Sequence, residues 1–249
     1  MKQVQRQKKR NCSQRCVPGR CAFSLDLRQS WGQAQISRTG SLKLQVAIDR
    51  TDLETAEAMI EEIKESADII EIGTSLIKDY GLDRSVAYFR KRFPEQCFLA
   101  DIKTCDEGAY EFRKTYEAGG DIPTVMGFSS VTTIRACADV AREFGKEYMI
   151  DLLEVPAERI RVLGEAFPEA VFCIHLPSDR QGEGLAELVR SSVRELSGVR
   201  KIAAAGGVTL DTVPLLKECG IEIGIVGGAI TKSGNKRETA ARFAGAVRM

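Results

Sequence analysis

The chain has 249 residues and a formal charge of +1, but this small total hides two segments of opposite charge. Residues 1–40 contain nine basic residues and one acidic residue, so they carry +8 and residues 41–249 carry −7. No apolar run approaches the roughly 18–20 residues of a membrane span, and the N-terminal segment lacks the apolar core of a secretory signal peptide. The composition therefore predicts a cytoplasmic protein, in which a basic segment precedes an acidic domain large enough to bury its own core.

The N-terminal segment, residues 1–41, has the composition of a disordered extension, rich in Gln, Arg, Lys and Ser and without a periodic apolar pattern. Cys12, Cys16 and Cys21 lack both the paired C-x2-C spacing and the nearby histidine of zinc modules, so metal binding there is disfavoured. The other five cysteines are expected to be reduced thiols inside apolar segments. Few aromatic rings accompany the basic residues, which disfavours nucleic-acid binding.

From Leu42 onward, short apolar runs alternate with helical segments. Strands are predicted at 42–49, 67–73, 97–102, 121–126, 147–153, 170–175, 199–204 and 222–226. Helices are predicted after the strands, including ones that span about 51–65, 84–93, 108–118 and 131–144. Eight such units predict an α/β fold, a single-domain (β/α)8 TIM barrel over residues 42–249. A doubly wound open sheet is the alternative, but no G-x-G-x-x-G follows the first strand.

Polar residues stand where the predicted strands end, and in a barrel these ends surround one mouth. They are Asp49 at the end of strand one, Glu71 on strand two, Asp101 at the end of strand three with Lys103 and Asp106 just after it, Asp151 on strand five, and His175 at the end of strand six. Each has a structural alternative: Asp49 could cap the following helix, and a lone histidine such as His175 is often structural. Their convergence on one mouth favours an active site.

Two glycine pairs follow the last two predicted strands, Gly206-Gly207 after strand seven and Gly227-Gly228 after strand eight. Loops at these positions commonly bind phosphate through backbone N–H groups. Glycine lets the main chain approach the anion closely. The pairs therefore predict a phosphorylated substrate.

The acidic residues and Lys103 predict which reaction intermediate the site can stabilise. Glu71 and Asp101, on adjacent strands, offer the hard oxygen ligands that suit Mg2+. Lys103 lies two residues beyond Asp101, so on a continuing strand the two side chains share a face. A metal ion and an ammonium group together stabilise an enediolate, and His175 is suited to proton transfer. Epimerase barrels that bind metal through two histidines and two aspartates are excluded, because the chain has one histidine.

Longer sequence motifs that contain these residues occur along the whole predicted barrel. They are LQVAID (44–49), EIGT (71–74), ADIKTCDEG (100–108), IDLLEV (150–155), the strand-six histidine with Asp179 and Gln181, AGG (205–207) and IVGGAIT (225–231). Through these motifs, residues 42–249 resemble the orotidine-5′-monophosphate decarboxylase suprafamily. Within it they resemble the branch of 3-hexulose-6-phosphate synthase and 3-keto-L-gulonate-6-phosphate decarboxylase.

The resemblance implies roles for individual residues. Glu71 and Asp101 would bind Mg2+, and Lys103 would steady an enediolate. Asp106 would reach into the partner's active site of a homodimer, and His175 would remove the C1 proton of the substrate. Substrate-binding positions would be Asp49, Asp151, Gly206, Gly207, Gly227 and Gly228.

The implied reaction is an aldol addition of formaldehyde to D-ribulose 5-phosphate, which gives D-arabino-hex-3-ulose 6-phosphate. The decarboxylase, which reaches the same enediolate by loss of CO2, is the alternative. That enzyme is expected to have Glu, Thr and Arg where this chain has Asp151, Ala205 and Ser178, so the synthase is favoured. A third possibility is a catalytically idle barrel whose basic N-terminal segment binds nucleic acid or a membrane.

Overall fold

The computed structural model describes residues 41–180 and 184–249, so the predictions for residues 1–40 and for Gln181 lie outside the described residues. Eight strands form a closed barrel in which each strand is parallel to its neighbours and the first pairs with the last. They are β1 (Lys43–Ile48), β2 (Ile69–Ile72), β3 (Phe98–Thr104), β4 (Ile122–Met126), β5 (Met149–Asp151), β6 (Val171–His175), β7 (Lys201–Ala205) and β8 (Ile223–Val226). The predicted (β/α)8 barrel is confirmed.

Helices connect the strands. They are α1 (Leu53–Ile63), α2 (Thr74–Arg84), α3 (Val86–Arg92), α4 (Gly108–Glu117), α5 (Val131–Phe144), α6 (Ala157–Ala166), α7 (Leu185–Glu195), α8 (Val213–Glu218), α9 (Gly228–Thr231) and α10 (Lys236–Arg248). Short 3-10 helices lie at Ser178–Arg180 and Leu210–Thr212. Across the described ranges, no helix is both long enough and apolar enough to cross a lipid bilayer.

Two helices follow β2, whereas the sequence pattern predicts only the second of them. The first, α2, begins directly after the strand, and Gly81 interrupts it with a φ of 71°. Leu76 is its one fully buried residue. Because α2 has no sustained apolar stripe, its period cannot be recognised in the sequence.

Two apolar layers hold the barrel together. Between the sheet and the helices lies the larger one, which contains the fully buried rings of Phe89, Phe98, Phe112, Phe167 and Phe172. Inside the barrel, large side chains such as Ile69, Leu99 and Met149 fill the end where the strands begin. Small interior residues, Ala47 on β1, Cys173 on β6 and Ala205 on β7, stand nearer the mouth. The bulky apolar side chains inside the barrel thus lie away from the mouth.

The five cysteines of the described residues are free thiols, as expected. Cys173 is buried inside the barrel, and burial raises the pKa of the Cys137 thiol to about 12. Cys105, by contrast, is exposed after β3. The expectation that this residue lies in an apolar segment was therefore wrong, because β3 ends before it.

Candidate active site

Lys103 lies at the centre of a charged cluster at the C-terminal mouth of the barrel. Its Nζ is 2.9 Å from Asp151 Oδ2 and 3.1 Å from Asp101 Oδ2. Asp151 also accepts hydrogen bonds from His175 Nδ1 at 2.8 Å and from the backbone N–H of Leu153 at 2.9 Å. Four of the predicted site residues, from strands β3, β5 and β6, are thus brought into one hydrogen-bonded group.

An irregularity in β3 places the Lys103 side chain. The pairing of β3 with β4 shifts in register between Ala100 and Thr104, and Lys103 has a φ of 49°. The regular strand predicted between Asp101 and Lys103 is therefore absent, although the expected contact between the two side chains is present. Left-handed backbone at a non-glycine residue costs about 1–3 kcal/mol and is characteristic of functional sites.

Two threonine hydroxyls bond to the Asp101 carboxylate, and neither role was predicted from the sequence. Thr74 donates to Asp101 Oδ2 at 2.7 Å, and Thr124 donates to Asp101 Oδ1 at 2.9 Å. The Thr124 oxygen accepts the backbone N–H of Lys103 at 2.9 Å, which directs its own proton toward Asp101. Thr74 belongs to the EIGT motif, which was a usable signal. Thr124 lies in an apolar strand with nothing in the local sequence to distinguish it.

Glu71, on β2, lies close enough to Asp101 for the negative charge of Asp101 to affect its ionisation. Burial and the nearby negative charge of Asp101 raise the pKa of Glu71 to about 8. Two carboxylates in such a position repel each other when both are ionised, and a divalent cation relieves that repulsion. In the described part of the chain, no group of three or more His, Cys, Asp or Glu side chains is arranged to hold a metal. A two-carboxylate set nevertheless fits an ion that completes its shell with water and substrate oxygens.

The raised pKa of Glu71 predicts that the metal-free protein loses stability as the pH rises. The folded state keeps a proton up to about pH 8, whereas the ordinary carboxyl pKa is 4.5. The stabilisation is complete below about pH 4.5 and is lost as the pH rises toward 8. Thermal unfolding in EDTA across this range measures the loss. Glu71→Gln should lack this pH-dependent loss of stability. An equal fall in Tm with pH in the variant and the wild type would contradict the prediction.

Asp151 and His175 form a pair that is set up for proton transfer. Burial opposes ionisation of Asp151, but hydrogen bonds and charge from His175 and Lys103 outweigh it and lower its pKa to about 2. Burial likewise lowers the pKa of His175, yet its bond to Asp151 dominates and raises the pKa above the ordinary value. Since Nδ1 faces Asp151, Nε2 is the ring nitrogen left for a substrate.

Lys103 stays protonated in this setting. Burial disfavours its charge, but the carboxylates of Asp151 and Asp101 raise the pKa of Lys103 above its ordinary value. The mouth therefore presents a permanent ammonium group beside a carboxylate-held imidazole. An arrangement of this kind can remove a proton and stabilise the negative charge that develops.

Asp49 lies at the rim of the mouth and caps a helix. Its Oδ1 accepts the backbone N–H of Ser75 at 2.9 Å and the hydroxyl of the same residue. Ser75 belongs to the first turn of α2, whereas α1, the helix that follows β1, is capped by Asp52 through Thr55 N at 2.8 Å. The alternative that Asp49 caps the next helix was therefore wrong. Its role in substrate binding stays a prediction.

Asp106 lies outside the cluster. It is exposed, and its Oδ1 accepts the N–H of Glu107 at 2.9 Å. Two large apolar side chains on the loops and helices after β3 and β4 are also exposed, Tyr110 at 63% and Phe128 at 57%. The contribution of Asp106 to a partner's site stays a prediction.

The two glycine pairs lie at the same mouth but differ in why they are glycine. Gly206 and Gly207 have φ values of 89° and 90°, which side chains rarely adopt. A Cβ at Gly206 would lie 2.0 Å from the carbonyl oxygen of Leu176. At Gly227 and Gly228 the nearest atoms would be 3.6 Å or more away. The first pair is thus required by the backbone, and phosphate binding by either pair stays a prediction.

Gly206→Ala should lower the stability by about 3 kcal/mol or more, because the added carbon meets backbone that cannot move freely. For a chain of this size, this corresponds to a fall in Tm of about 6–12 °C, measurable by calorimetry. Gly145→Ala is the matched control. Gly145 also has a positive φ, of 63°, but a Cβ there meets nothing within 4 Å, so a loss of about 1 kcal/mol is expected. Equal losses in both variants would contradict the role of the clash.

Solved structures with this architecture include two groups. The 3-hexulose-6-phosphate synthase of Salmonella typhimurium superposes with a TM-score of 0.76 at 30% identity, covering 83% of this chain and 98% of that one. The 3-keto-L-gulonate-6-phosphate decarboxylase of Vibrio cholerae superposes with a TM-score of 0.74 at 24% identity, covering 83% and 97%. The second similarity concerns the fold alone.

Two curated relatives of this chain share one name. A 3-hexulose-6-phosphate synthase of Bacillus subtilis is 34% identical over 213 residues, which is 81% of this chain and 97% of the relative. A protein of the same name from Methylomonas aminofaciens is 34% identical over 205 residues, 81% and 97%. Residues 42–243 match the family of orotidine 5′-phosphate decarboxylase and HUMPS proteins. The chain, with its eight-stranded barrel and charged mouth, belongs to the orotidine 5′-phosphate decarboxylase / HUMPS family.

Proposed function

We propose that this protein is a Mg2+-dependent aldolase that joins formaldehyde to D-ribulose 5-phosphate and forms D-arabino-hex-3-ulose 6-phosphate. The observation that carries the proposal is the cluster of Asp101, Lys103, Asp151 and His175, in which Lys103 Nζ lies 2.9 Å from Asp151 and 3.1 Å from Asp101. The identity with relatives named 3-hexulose-6-phosphate synthase supports this choice.

Each residue of the cluster has its own role in the proposed reaction. His175 Nε2 takes the proton from C1 of the sugar, while Asp151 holds the ring and stabilises its positive charge. Lys103 stabilises the negative charge that develops on the enediolate oxygens. The C1 carbanion equivalent then forms a bond with the formaldehyde carbon as the C=O π bond of formaldehyde breaks. The resulting alkoxide takes the proton that His175 carries and becomes a hydroxyl group.

Glu71 and Asp101 would hold the Mg2+ ion. The fit rests on the donor set, two carboxylates on adjacent strands, which suits Mg2+. Burial, and after it the negative charge of Asp101, raise the pKa of Glu71, and a bound cation would offset both effects. When bound, the ion supplies positive charge that neutralises the oxygens of the substrate. Thr74 and Thr124 orient the Asp101 carboxylate for this role through hydrogen bonds of 2.7 and 2.9 Å.

The remaining assignments concern the phosphate group and the oligomer. Backbone N–H groups at Gly206-Gly207 and Gly227-Gly228 would bind the phosphate of the substrate. The exposed Asp106, together with the exposed rings of Tyr110 and Phe128, supports a homodimer in which Asp106 completes the partner's site. Burial of two large apolar side chains would favour such an association.

The test is an assay of purified protein with D-ribulose 5-phosphate. Its consumption should depend on formaldehyde, stop when EDTA is added and resume with excess MgCl2. Release of CO2 from 3-keto-L-gulonate 6-phosphate, without the formaldehyde reaction, would favour the decarboxylase. Absence of both activities with Mg2+ present would contradict the proposal and favour an idle barrel.

A further inference from the structure

Gln45 is a fully buried amide in the interior of the barrel. It lies on β1, in register with Ile69 of β2 and Ile225 of β8, and both of these residues belong to the apolar cluster inside the barrel. Its exposure is 0%. Among the described residues, its Oε1 is the buried side-chain oxygen or nitrogen that has no hydrogen-bond partner.

Packing alone does not account for an amide at this position. A buried carbonyl oxygen that gives up water and gains no partner costs folding free energy. Methionine has a similar volume and would occupy the same apolar surroundings without that cost. Such a departure from the stability optimum is typical of residues kept for function.

The other end of the amide contacts the site. Gln45 Nε2 donates to Glu71 Oε2 at 2.6 Å, and the two strands that carry these residues are directly paired, with Ala47 opposite Glu71. The hydrogen bond occupies one oxygen of the Glu71 carboxylate. The second oxygen is then free for another partner.

We propose that Gln45 is a positioning residue of the metal site, whose amide orients the Glu71 carboxylate so that its free oxygen binds the cation held with Asp101. This inference rests on the proposed function, in which Glu71 and Asp101 hold Mg2+. In this role Gln45 would act through Glu71, to which it donates its hydrogen bond, and not by direct contact with the cation or the substrate. Groups that orient a metal-ligating carboxylate in this way typically change metal affinity by 10–100-fold.

Titration calorimetry of the purified, EDTA-treated full chain with MgCl2 alone tests the role. Gln45→Met should raise the Kd for Mg2+ by about 10–100-fold. Its Tm in EDTA should change little, because the substitution removes the unpaired acceptor, which is favourable, together with the hydrogen bond to Glu71, which is unfavourable. Gln45→Leu, a second apolar replacement, should change the Kd for Mg2+ and the Tm in the same way. The matched control is Gln96→Met, because Gln96 bonds to the carbonyl of Ala67 at 3.2 Å, at the opposite end of the barrel, and its Kd should equal that of the wild type.

The outcomes separate the inference from the proposed function. An unchanged Kd in Gln45→Met, or wild-type protein without Mg2+ affinity, overturns the role of Gln45. A weaker affinity accompanied by a clear fall in Tm also overturns it, because Gln45 would then act through packing. Protein that binds Mg2+ with the expected dependence on Gln45, yet does not consume ribulose 5-phosphate with formaldehyde, contradicts only the proposed aldolase.

Discussion

Lys103→Ala should lower kcat for the formaldehyde-dependent reaction by about a hundredfold or more, the loss typical when one stabiliser of an oxyanion is removed. Lys103 is the cation between Asp101 and Asp151, at 3.1 and 2.9 Å. Without it, the enediolate would form beside two carboxylates with no ammonium group to offset them. Steady-state kinetics at saturating Mg2+ measure the effect.

The control for this variant is Lys114→Ala. Lys114 is on α4 and pairs with Glu117 at 3.2 Å on the surface, and surface ion pairs of this kind contribute little. Its kcat should match the wild type. Near-normal turnover in Lys103→Ala would show that the catalytic centre lies elsewhere.

His175→Gln should lower kcat/KM by about 10²–10⁴-fold, the usual contribution of a general base. Since His175 Nδ1 bonds to Asp151 at 2.8 Å, the other ring nitrogen is the one available to take the C1 proton. Exchange of that proton in D2O, followed by NMR with ribulose 5-phosphate and no formaldehyde, isolates this step. Exchange at the wild-type rate in His175→Gln would contradict the assignment.

The pH dependence supplies a second readout of the same pair. A general base must be neutral, so activity should fall as the pH drops through the pKa of His175, which lies above its ordinary value of 6.5 because of Asp151. Asp151→Asn removes the negative charge that raises this pKa. The acid limb of the kcat/KM profile should then move to lower pH. A limb that does not move would show that another group controls it.

The sequence was sufficient for the barrel because local patterns repeat eight times in it. Each strand is a short apolar run, and the parallel arrangement follows from its alternation with helices. Once a barrel is inferred, the ends of the strands meet at one mouth. Asp101, Asp151 and His175 could therefore be assigned to one site although they stand 24 to 74 positions apart in the chain. The glycine pairs were recognised by the same argument.

The sequence was insufficient wherever a contact depends on register or on a local break in regular structure. Helix α2 was not predicted, because it has no apolar stripe. The hydrogen bond by which Asp49 caps this helix could therefore not be predicted either. The left-handed conformation of Lys103 was not foreseen either. It depends on how β3 pairs with β4, which no local pattern encodes.

The fold class, the position of the mouth and most of the groups that face it could be read from the amino-acid sequence, because they follow from periodicity and from the order of strands. The contacts that hold those groups became visible in the folded chain. Thr124 reaches Asp101 across 23 positions, and Gln45 reaches Glu71 across 26. Hydrogen bonds of this kind are formed between neighbouring strands, and their partners are set by the register of the closed barrel.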